Sequence, residues 1–287
     1  MYKAALVLEG GALRGEYTAG VLDAFLDHDI EFETVIGVSA GALCGTNFIS
    51  KQRGRTNDVN VNYRHDRNYI SVRRAFKRQD IINLDYLFSP HGDTWQNFDA
   101  TTYRRSASKF VIVATSLELG RAVYFNHPVG REMVQTLKAS SSMPFISAPV
   151  KTKQGLCLDG GIADSIPYAY AQLSGYDKIV VIRTREREYR KSRTPSPLRH
   201  AYEHAFAQYP EFVKAAAARP EMYNHQADKL DTLEKAGHIF VLAPNEPVTV
   251  KRLEGDTDKL AALYESGLQD ANAEMASLRR YLGAQTL

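Results

Sequence analysis

The sequence predicts an α/β fold with three layers, in which a mostly parallel sheet is flanked by helices and followed by a C-terminal helical extension. Short apolar runs alternate with stretches of helical period through the first half of the chain, a pattern typical of βαβ units around a buried parallel sheet. The 287 residues are enough for one large domain of this kind. We expect residues 1–185 to form it and residues 186–287 to be a mostly helical region that packs on or extends the same domain.

The first forty residues predict two consecutive strand–turn–helix units. Residues 3–9 are an apolar run that ends at two glycines, and apolar residues then recur at helical spacing over 19–26. Residues 34–38 predict a second strand, and the small residues of 40–48 predict a second helix. Two such units in series predict a right-handed crossover between parallel strands.

The middle of the chain begins with a stretch of weak pattern. Residues 51–99 are polar and rich in arginine and asparagine, which predicts an irregular insertion with some short helix and makes this segment a candidate lid. Regular structure is then predicted to resume. The predicted elements are strands at 109–115 and 121–125, a helix over 131–139, a hairpin over 148–158 that turns at Gln154-Gly155, and a strand at 177–182.

The region after Arg183 begins as a basic linker that contains proline and serine. Beyond it we expect helical stretches broken by Pro210 and Pro220, because proline removes a backbone donor and disfavours a helix interior. A strand is predicted at 238–242. A long final helix is predicted from leucines that recur on one face, beginning at Leu253.

The bulk composition excludes several classes of protein. With 44% hydrophobic and 24% charged residues the chain has the composition of a globular domain, not of a disordered one. No apolar run approaches the ~18 residues of a membrane span, and the N-terminus becomes glycine-rich too early for a signal peptide. Cys44 and Cys157 form neither a disulfide framework nor a metal-ligand pattern. We therefore predict a cytoplasmic protein, and the formal charge of +3 is too small to indicate a nucleic-acid partner.

The segment Gly37-Val38-Ser39-Ala40-Gly41 has the form G-x-S-x-G between a predicted strand and a predicted helix. This order is typical of a nucleophile elbow, a strained turn that exposes the serine hydroxyl. A side chain at Gly37 or Gly41 would collide with the neighbouring chain. Ser39 would lie at a helix N-terminus, where backbone N–H groups favour a nearby oxyanion. The alternative interpretation is a tight turn that merely contains serine.

The segment Gly10 to Gly15, Gly-Gly-Ala-Leu-Arg-Gly, follows the first predicted strand. Its small residues leave backbone N–H groups free to face a developing oxyanion. A dinucleotide-binding turn is a competing interpretation, weakened by Ala12 at the second glycine of G-x-G-x-x-G. A P-loop is excluded because no Gly-Lys-Ser/Thr follows. A purely structural glycine turn stays open.

Asp159-Gly160-Gly161 places a carboxylate at the end of a predicted strand, beside two residues too small to obstruct a serine hydroxyl. Alone, this would be read as an Asp-Gly turn. A carboxylate is nevertheless favoured as the base, because the loop after a late strand that carries the histidine of an α/β-hydrolase has no evident counterpart here. His238 only begins such a strand. The histidines are His28, His65, His91, His127, His200, His204, His225 and His238.

Together these motifs resemble the signature of the patatin-like phospholipase family, which has a glycine-rich oxyanion turn, G-x-S-x-G and a later Asp-Gly-Gly/Ala in this order. Residues 139–150 also resemble the family's Ala-Ser-x-Ala-x-Pro segment. The resemblance covers roughly residues 1–185, the predicted catalytic domain. Two departures are Ala12, where the family usually has a third glycine, and Ser142, where it usually has alanine.

The resemblance implies a serine lipid-acyl hydrolase of the phospholipase A or lysophospholipase type, with a phospholipid or another acyl-ester lipid as substrate. It implies a dyad of Ser39 as nucleophile and Asp159 as base, and no cofactor or metal. A thioesterase, an acyltransferase and a catalytically idle regulatory binding protein stay open as alternatives. The implied oxyanion-hole residues are Gly10, Gly11, Ala12, Arg14, Gly15 and Ala40, with motif support from Gly37, Gly41, Gly160 and Gly161.

Positive charge is concentrated in two segments. Residues 51–78 contain nine Lys/Arg against two Asp, and residues 183–199 contain seven Lys/Arg against two Glu. Solvated loops are the simpler interpretation. The functional interpretation is a face that docks on anionic phospholipid head groups, which would place the protein peripherally at the inner face of the membrane.

Overall fold

The computed structural model describes residues 1–69, 82–88 and 97–283, and these residues contain a mixed eight-stranded sheet flanked by helices. The strands are β1 (Tyr2–Leu8), β2 (Phe32–Val38), β3 (Lys109–Ser116), β4 (Ala122–Asn126), β5 (Val150–Thr152), β6 (Gly155–Asp159), β7 (Ile179–Ile182) and β8 (Ile239–Leu242). The helices are α1 (Gly15–Asp27), α2 (Ala40–Ile49), α3 (Arg55–Val61), α4 (Leu84–Leu87), α5 (Ala100–Arg105), α6 (Gly130–Ser141), α7 (Tyr168–Leu173), α8 (Ser196–Ala205), α9 (Pro210–Lys235) and α10 (Thr257–Leu282).

The sheet has a parallel part and an antiparallel part. Its strand order is β5-β6-β3-β2-β1-β7-β8, with β4 paired to the other edge of β3. The five strands β3, β2, β1, β7 and β8 run parallel, whereas β4, β5 and β6 are antiparallel to their neighbours. The strands predicted from apolar runs and the predicted hairpin are confirmed.

Side chains that point alternately to the two faces of the sheet produce the three layers. In β1, Leu6 and Leu8 belong to the core cluster that includes residues of α1, α2 and α10, whereas Ala5 and Val7 belong to the cluster that includes residues of α7 and α9. Successive side chains of a strand point to opposite faces, so each face of the sheet is covered by its own helices. The predicted three-layer α/β fold is confirmed.

The C-terminal region adds to this sheet. β8 pairs in parallel with β7, and α10 packs along α1. The two helices approach closely at glycines, since a Cβ at Gly20 would lie 2.0 Å from the carbonyl oxygen of Tyr264 and one at Gly267 would lie 2.1 Å from that of Tyr17. The boundary at residue 185 stays a prediction.

Two sequence predictions about this region are wrong. Helix α9 continues through Pro220, which is buried together with Phe212 and Tyr223 on the side of the helix that faces the protein. Packing of that side therefore outweighs the hydrogen bond that proline cannot make. Leu253 does not belong to the last helix, which begins at Thr257 after Asp256.

The insertion at 51–99 contains the short helices α3 and α4 within the described residues. Two of its cations, Arg55 and Arg64, are buried and so cannot contribute to a membrane-docking face. The basic residues Arg73, Arg74, Lys77 and Arg78 lie outside the described residues. No helix in the described part of the chain is long and apolar enough to cross a membrane.

Candidate active site

Strand β3 brings Ser39 and Asp159 together. β2 pairs with one edge of β3 as far as Val38 opposite Val113, and β6 pairs with the same edge from Asp159 opposite Ala114. The last residue of β6 therefore lies beside the residue that follows β2. Ser39 Oγ donates a hydrogen bond of 2.8 Å to Asp159 Oδ2, and both side chains are buried.

The turn at Ser39 has the backbone geometry of an elbow. Ser39 has φ 53° and ψ −120°, a backbone conformation that residues other than glycine rarely adopt. It is the N-cap of α2, so its side chain lies at the positive end of that helix. The turn needs its glycines, since a Cβ at Gly41 would lie 2.5 Å from the carbonyl oxygen of Leu8 and one at Gly37 would lie 2.7 Å from Ala42 Cα.

Ser140 holds the backbone of this elbow, a role that the sequence did not reveal. The N–H of Ser39 donates to Ser140 Oγ at 2.8 Å, and Ser140 Oγ donates in turn to the carbonyl oxygen of Val113 at 2.6 Å. The amide of Ser39 is therefore occupied and does not face a substrate. The only signal in the sequence was the position of Ser140 within the segment that resembles the family's Ala-Ser-x-Ala-x-Pro.

Asp159 is fixed by a second set of hydrogen bonds. Its Oδ1 accepts from the N–H of Gly161 at 2.8 Å, and its own N–H donates to the carbonyl oxygen of Ser142 at 2.8 Å. Gly160 must be small, because a Cβ there would lie 2.3 Å from the carbonyl oxygen of Val113. Burial raises the pKa of Asp159, against the opposing effects of nearby Arg219 and of the hydrogen bond from Ser39.

Several of the backbone amides near Ser39 have no acceptor among the described residues. Among the described residues, the N–H groups of Gly10, Gly11, Ala12 and Ala40 donate no hydrogen bond. Gly10 lies against the elbow, since a Cβ there would lie 3.3 Å from Ser39 Cβ. Ala12 has φ 50°, so the residue that replaces the family's usual glycine adopts the conformation that glycine favours.

The other two predicted members of this loop have their amides engaged. The N–H of Arg14 donates to the carbonyl oxygen of Gly11, and that of Gly15 donates to the carbonyl oxygens of Ala12 and Leu13. A Cβ at Gly15 would lie 3.0 Å from Ala40 Cβ, so a small residue there allows the loop to approach α2. The backbone amides of Arg14 and Gly15 therefore hold the loop together and do not face Ser39.

Comparison with known proteins identifies the family. The model of the patatin-like phospholipase family matches residues 6–171, more than half of the chain. The chain belongs to the patatin-like phospholipase family. A second family model, described as a domain of unknown function, matches residues 209–283.

The chain is similar to two curated proteins, and each match covers only part of both partners. The uncharacterized protein YjjU of Escherichia coli (strain K12) is 34% identical over 184 residues, which are 63% of this chain and 51% of the relative. The probable lipid hydrolase 463L of Invertebrate iridescent virus 6 is 22% identical over 192 residues, which are 58% of this chain and 62% of the relative. The matches thus span between about half and three fifths of the length of these relatives.

Among solved structures, VipD from Legionella pneumophila is similar in fold. The TM-score is 0.52 at 11% sequence identity, and the match covers 96% of this chain and 67% of VipD. At this identity the likeness supports the patatin-like fold alone.

Two cavities meet at Ser39 of this patatin-like protein. The first is mostly apolar, and its walls include Leu13, Leu43 and Val59, together with Leu87 of α4 and Met143. The second is polar, and its walls include Asp159 and several cationic side chains from the C-terminal half of the chain. Ser39, Ala12 and Met143 belong to both walls, so a ligand at Ser39 can extend into either cavity.

The described histidines lie away from these cavities. None of them lines either wall, and His91 lies outside the described residues. His127 stacks on Tyr103, and His238 is exposed at the start of β8. In the part of the chain that the structure describes, no group of three His, Cys, Asp or Glu side chains could hold a metal ion.

Proposed function

We propose that the protein is a serine lipid-acyl hydrolase of the phospholipase A or lysophospholipase type, which cleaves fatty-acyl esters through an acyl-enzyme on Ser39 with Asp159 as its base. The observation that carries the proposal is the hydrogen bond of 2.8 Å from Ser39 Oγ to Asp159 Oδ2, together with the apolar cavity that Ser39 lines. Membership of the patatin-like phospholipase family supports lipid hydrolysis. The name of the viral relative, a probable lipid hydrolase, agrees with it.

In the first half-reaction Ser39 Oγ attacks the ester carbonyl carbon while its proton passes to Asp159. The carbonyl oxygen becomes an oxyanion, which accepts hydrogen bonds from the N–H groups of Gly11, Ala12 and Ala40. Asp159 then gives its proton to the departing alcohol oxygen as the ester C–O bond breaks, and the acyl group stays on Ser39.

In the second half-reaction Asp159 takes a proton from water as the water oxygen attacks the acyl carbonyl carbon. The bond to Ser39 Oγ breaks, Ser39 recovers the proton, and the free fatty acid leaves. An aspartate with an ordinary pKa of ~3.9 is a weak base for these steps. Burial raises the pKa of Asp159, which makes it a better base, and the oxyanion donors supply further stabilisation of the transition state.

The test is a hydrolysis screen of the wild-type protein and Ser39→Ala on phospholipids, lysophospholipids, acyl thioesters and p-nitrophenyl esters, combined with labelling by a fluorophosphonate probe. We expect ester hydrolysis by the wild type only, and covalent label on Ser39 only. Label on a different serine would overturn the assignment of the nucleophile. A preference for thioesters, or transfer of the acyl group to an added alcohol, would redefine the protein as a thioesterase or acyltransferase.

A further inference from the structure

The polar cavity at Ser39 has a large surplus of positive charge. Five cationic residues line it, against the two carboxylates of Glu9 and Asp159. Four of the five come from the chain beyond residue 171, where the match to the patatin-like family model ends. The cationic residues are Arg14, Arg185, Lys191, Arg219 and Arg252.

These five cations differ from their neighbours in having no carboxylate partner. Between residues 183 and 193, the guanidinium groups that do not line the cavity lie within 4.0 Å of an acidic side chain. Among the described residues, none of the five cavity cations has such an ion pair. The paired arginines are Arg183 with Asp231, Arg187 with Glu234, Arg190 with Asp231 and Arg193 with Glu221.

Two donors on side chains that line this cavity have no acceptor. The buried Nε atoms of Arg14 and Arg185 have no hydrogen-bond partner among the described residues. Lys191 Nζ lies over the ring of Tyr223 and not beside a carboxylate. Burial lowers the pKa of Arg14 to about 10, and burial together with the neighbouring arginines, against the opposing effect of Glu9, lowers the pKa of Lys191 to about 6. Burial and the neighbouring arginines thus leave Lys191 mostly neutral near pH 7 in the empty cavity, and a bound anion would raise its pKa and restore its charge.

The position of the cavity in the sheet is also one where ligands bind. β1 and β7 are neighbours, but the chain continues from β1 to β2 on one side and from β7 to β8 on the other. The crevice at the carboxyl ends of two such strands is the usual ligand site of open α/β sheets. Residues 9–14 follow β1 and residues 183–191 follow β7, so the cavity lies in this crevice.

We propose that this cavity binds the phosphate group of the substrate, and that the protein therefore prefers acyl esters whose head group carries net negative charge. The inference rests on the proposed hydrolase function. Because the apolar and cationic cavities share Ser39, an acyl chain in one and a phosphate in the other would leave the ester between them at the nucleophile. Arginine binds phosphate through bidentate hydrogen bonds. A choline head group adds a cation, which the basic side chains of this cavity would repel. The expected order is phosphomonoester, then phosphoglycerol, then phosphocholine.

The kinetic test compares two double variants, each of which replaces two basic side chains with glutamine. Lys191→Gln/Arg252→Gln removes two basic side chains from the cavity wall. Arg193→Gln/Lys251→Gln removes two exposed basic side chains that lie within two residues of them in sequence and do not line the cavity. The readout is the ratio of kcat/KM for lysophosphatidic acid to kcat/KM for the p-nitrophenyl ester of the same fatty acid. We expect this ratio to fall roughly ten-fold or more in the first variant, the scale of a lost charge-assisted hydrogen bond. It should stay within about two-fold in the second.

Equal ratios in the two double variants, or no preference of the wild type for the phosphomonoester over lysophosphatidylcholine, would overturn the proposal. A calorimetric titration with glycerol 3-phosphate and with inorganic phosphate separates it from the proposed function. Heat of binding in the wild type that is lost only in Lys191→Gln/Arg252→Gln supports an anion site. Should that binding hold while no acyl ester is hydrolysed, the hydrolase function falls and the assignment of the cavity stands. Absence of binding in the wild type overturns the assignment.

Discussion

Ser140 Oγ accepts a hydrogen bond of 2.8 Å from the backbone N–H of Ser39 and donates one of 2.6 Å to the carbonyl oxygen of Val113. One buried hydroxyl thus connects α6 to the strained elbow and to β3. The elbow keeps its backbone conformation because the surrounding structure determines it. Ser140 therefore positions Ser39, the proposed nucleophile, although it lines neither of the two cavities at Ser39.

The Ser140→Ala variant should lose stability because it leaves a buried donor and a buried acceptor without partners. We expect the free energy of unfolding to fall by about 1–3 kcal/mol, measured by urea denaturation. Ser141→Ala is the matched control, since the Oγ of Ser141 is buried with no partner among the described residues. An equal effect of the two substitutions would contradict the role of Ser140.

The Asp159→Asn variant keeps the shape of the site and removes the proposed base. Hydrolysis of a p-nitrophenyl ester should fall on the order of 10²-fold or more, the usual scale of general-base catalysis. His127→Ala and His238→Ala should each change the rate only slightly, because neither side chain lines a cavity at Ser39. A histidine variant as inactive as Asp159→Asn would favour a triad over the proposed dyad.

The same substitution should make the protein more stable at neutral pH. Burial raises the pKa of Asp159 in the folded protein, so its ionisation opposes folding. That cost is absent below the unfolded-state pKa of ~3.9 and grows as the pH rises through the folded-state value. The amide of an asparagine carries no charge, so the Asp159→Asn variant should have a higher Tm than the wild type at pH 7 and no such gain at acidic pH. A Tm of the Asp159→Asn variant below that of the wild type at both pH values would show that the surroundings of Asp159 favour its ionised carboxylate.

The acid limb of the pH–rate profile should report the same carboxylate. Because Asp159 must be ionised to accept the proton of Ser39, kcat/KM should fall with decreasing pH at a value above the ordinary ~3.9 of aspartate. Burial raises the pKa of Asp159 and nearby Arg252 lowers it, so Arg252→Gln should move the limb to higher pH, and Lys251→Gln, next to it and outside the cavity, should not. A limb at the ordinary value, or equal shifts in the two variants, would contradict this assignment.

The sequence was informative where local pattern determines structure. Apolar runs predicted the buried strands, and the order of the glycine turn, the serine elbow and Asp159 predicted the family. Which groups lie beside Ser39 depends instead on strand register, since Asp159 reaches the elbow only because β6 continues along the edge of β3 that β2 leaves. The role of Ser140 and the gathering of Lys191 and Arg252 depend on such long-range contacts. The prediction that Pro220 breaks the helix was wrong for the same reason, since the burial of Pro220 is not visible in the local sequence.

The apolar cavity leads to a prediction about chain length. Leu43 lies one helical turn after Ser39 on α2 and lines this cavity. An indole ring in place of the Leu43 side chain would occupy the space near Ser39 that a long acyl chain needs, while a short acyl group would still fit. Leu43→Trp should therefore lower kcat/KM for p-nitrophenyl laurate roughly ten-fold or more relative to the butyrate ester, since each methylene excluded from an apolar pocket costs about 1 kcal/mol.

The control for this prediction is Leu173→Trp, the same change at a side chain that is 89% exposed. It should leave the ratio of the two esters as in the wild type, because Leu173 ends α7 and does not line the cavity. If Leu43→Trp also leaves the ratio unchanged, the acyl chain does not occupy this cavity. The reason is that the Trp side chain, one turn from Ser39, would block the first part of the cavity. An acyl chain bound there could then not reach the rest of it.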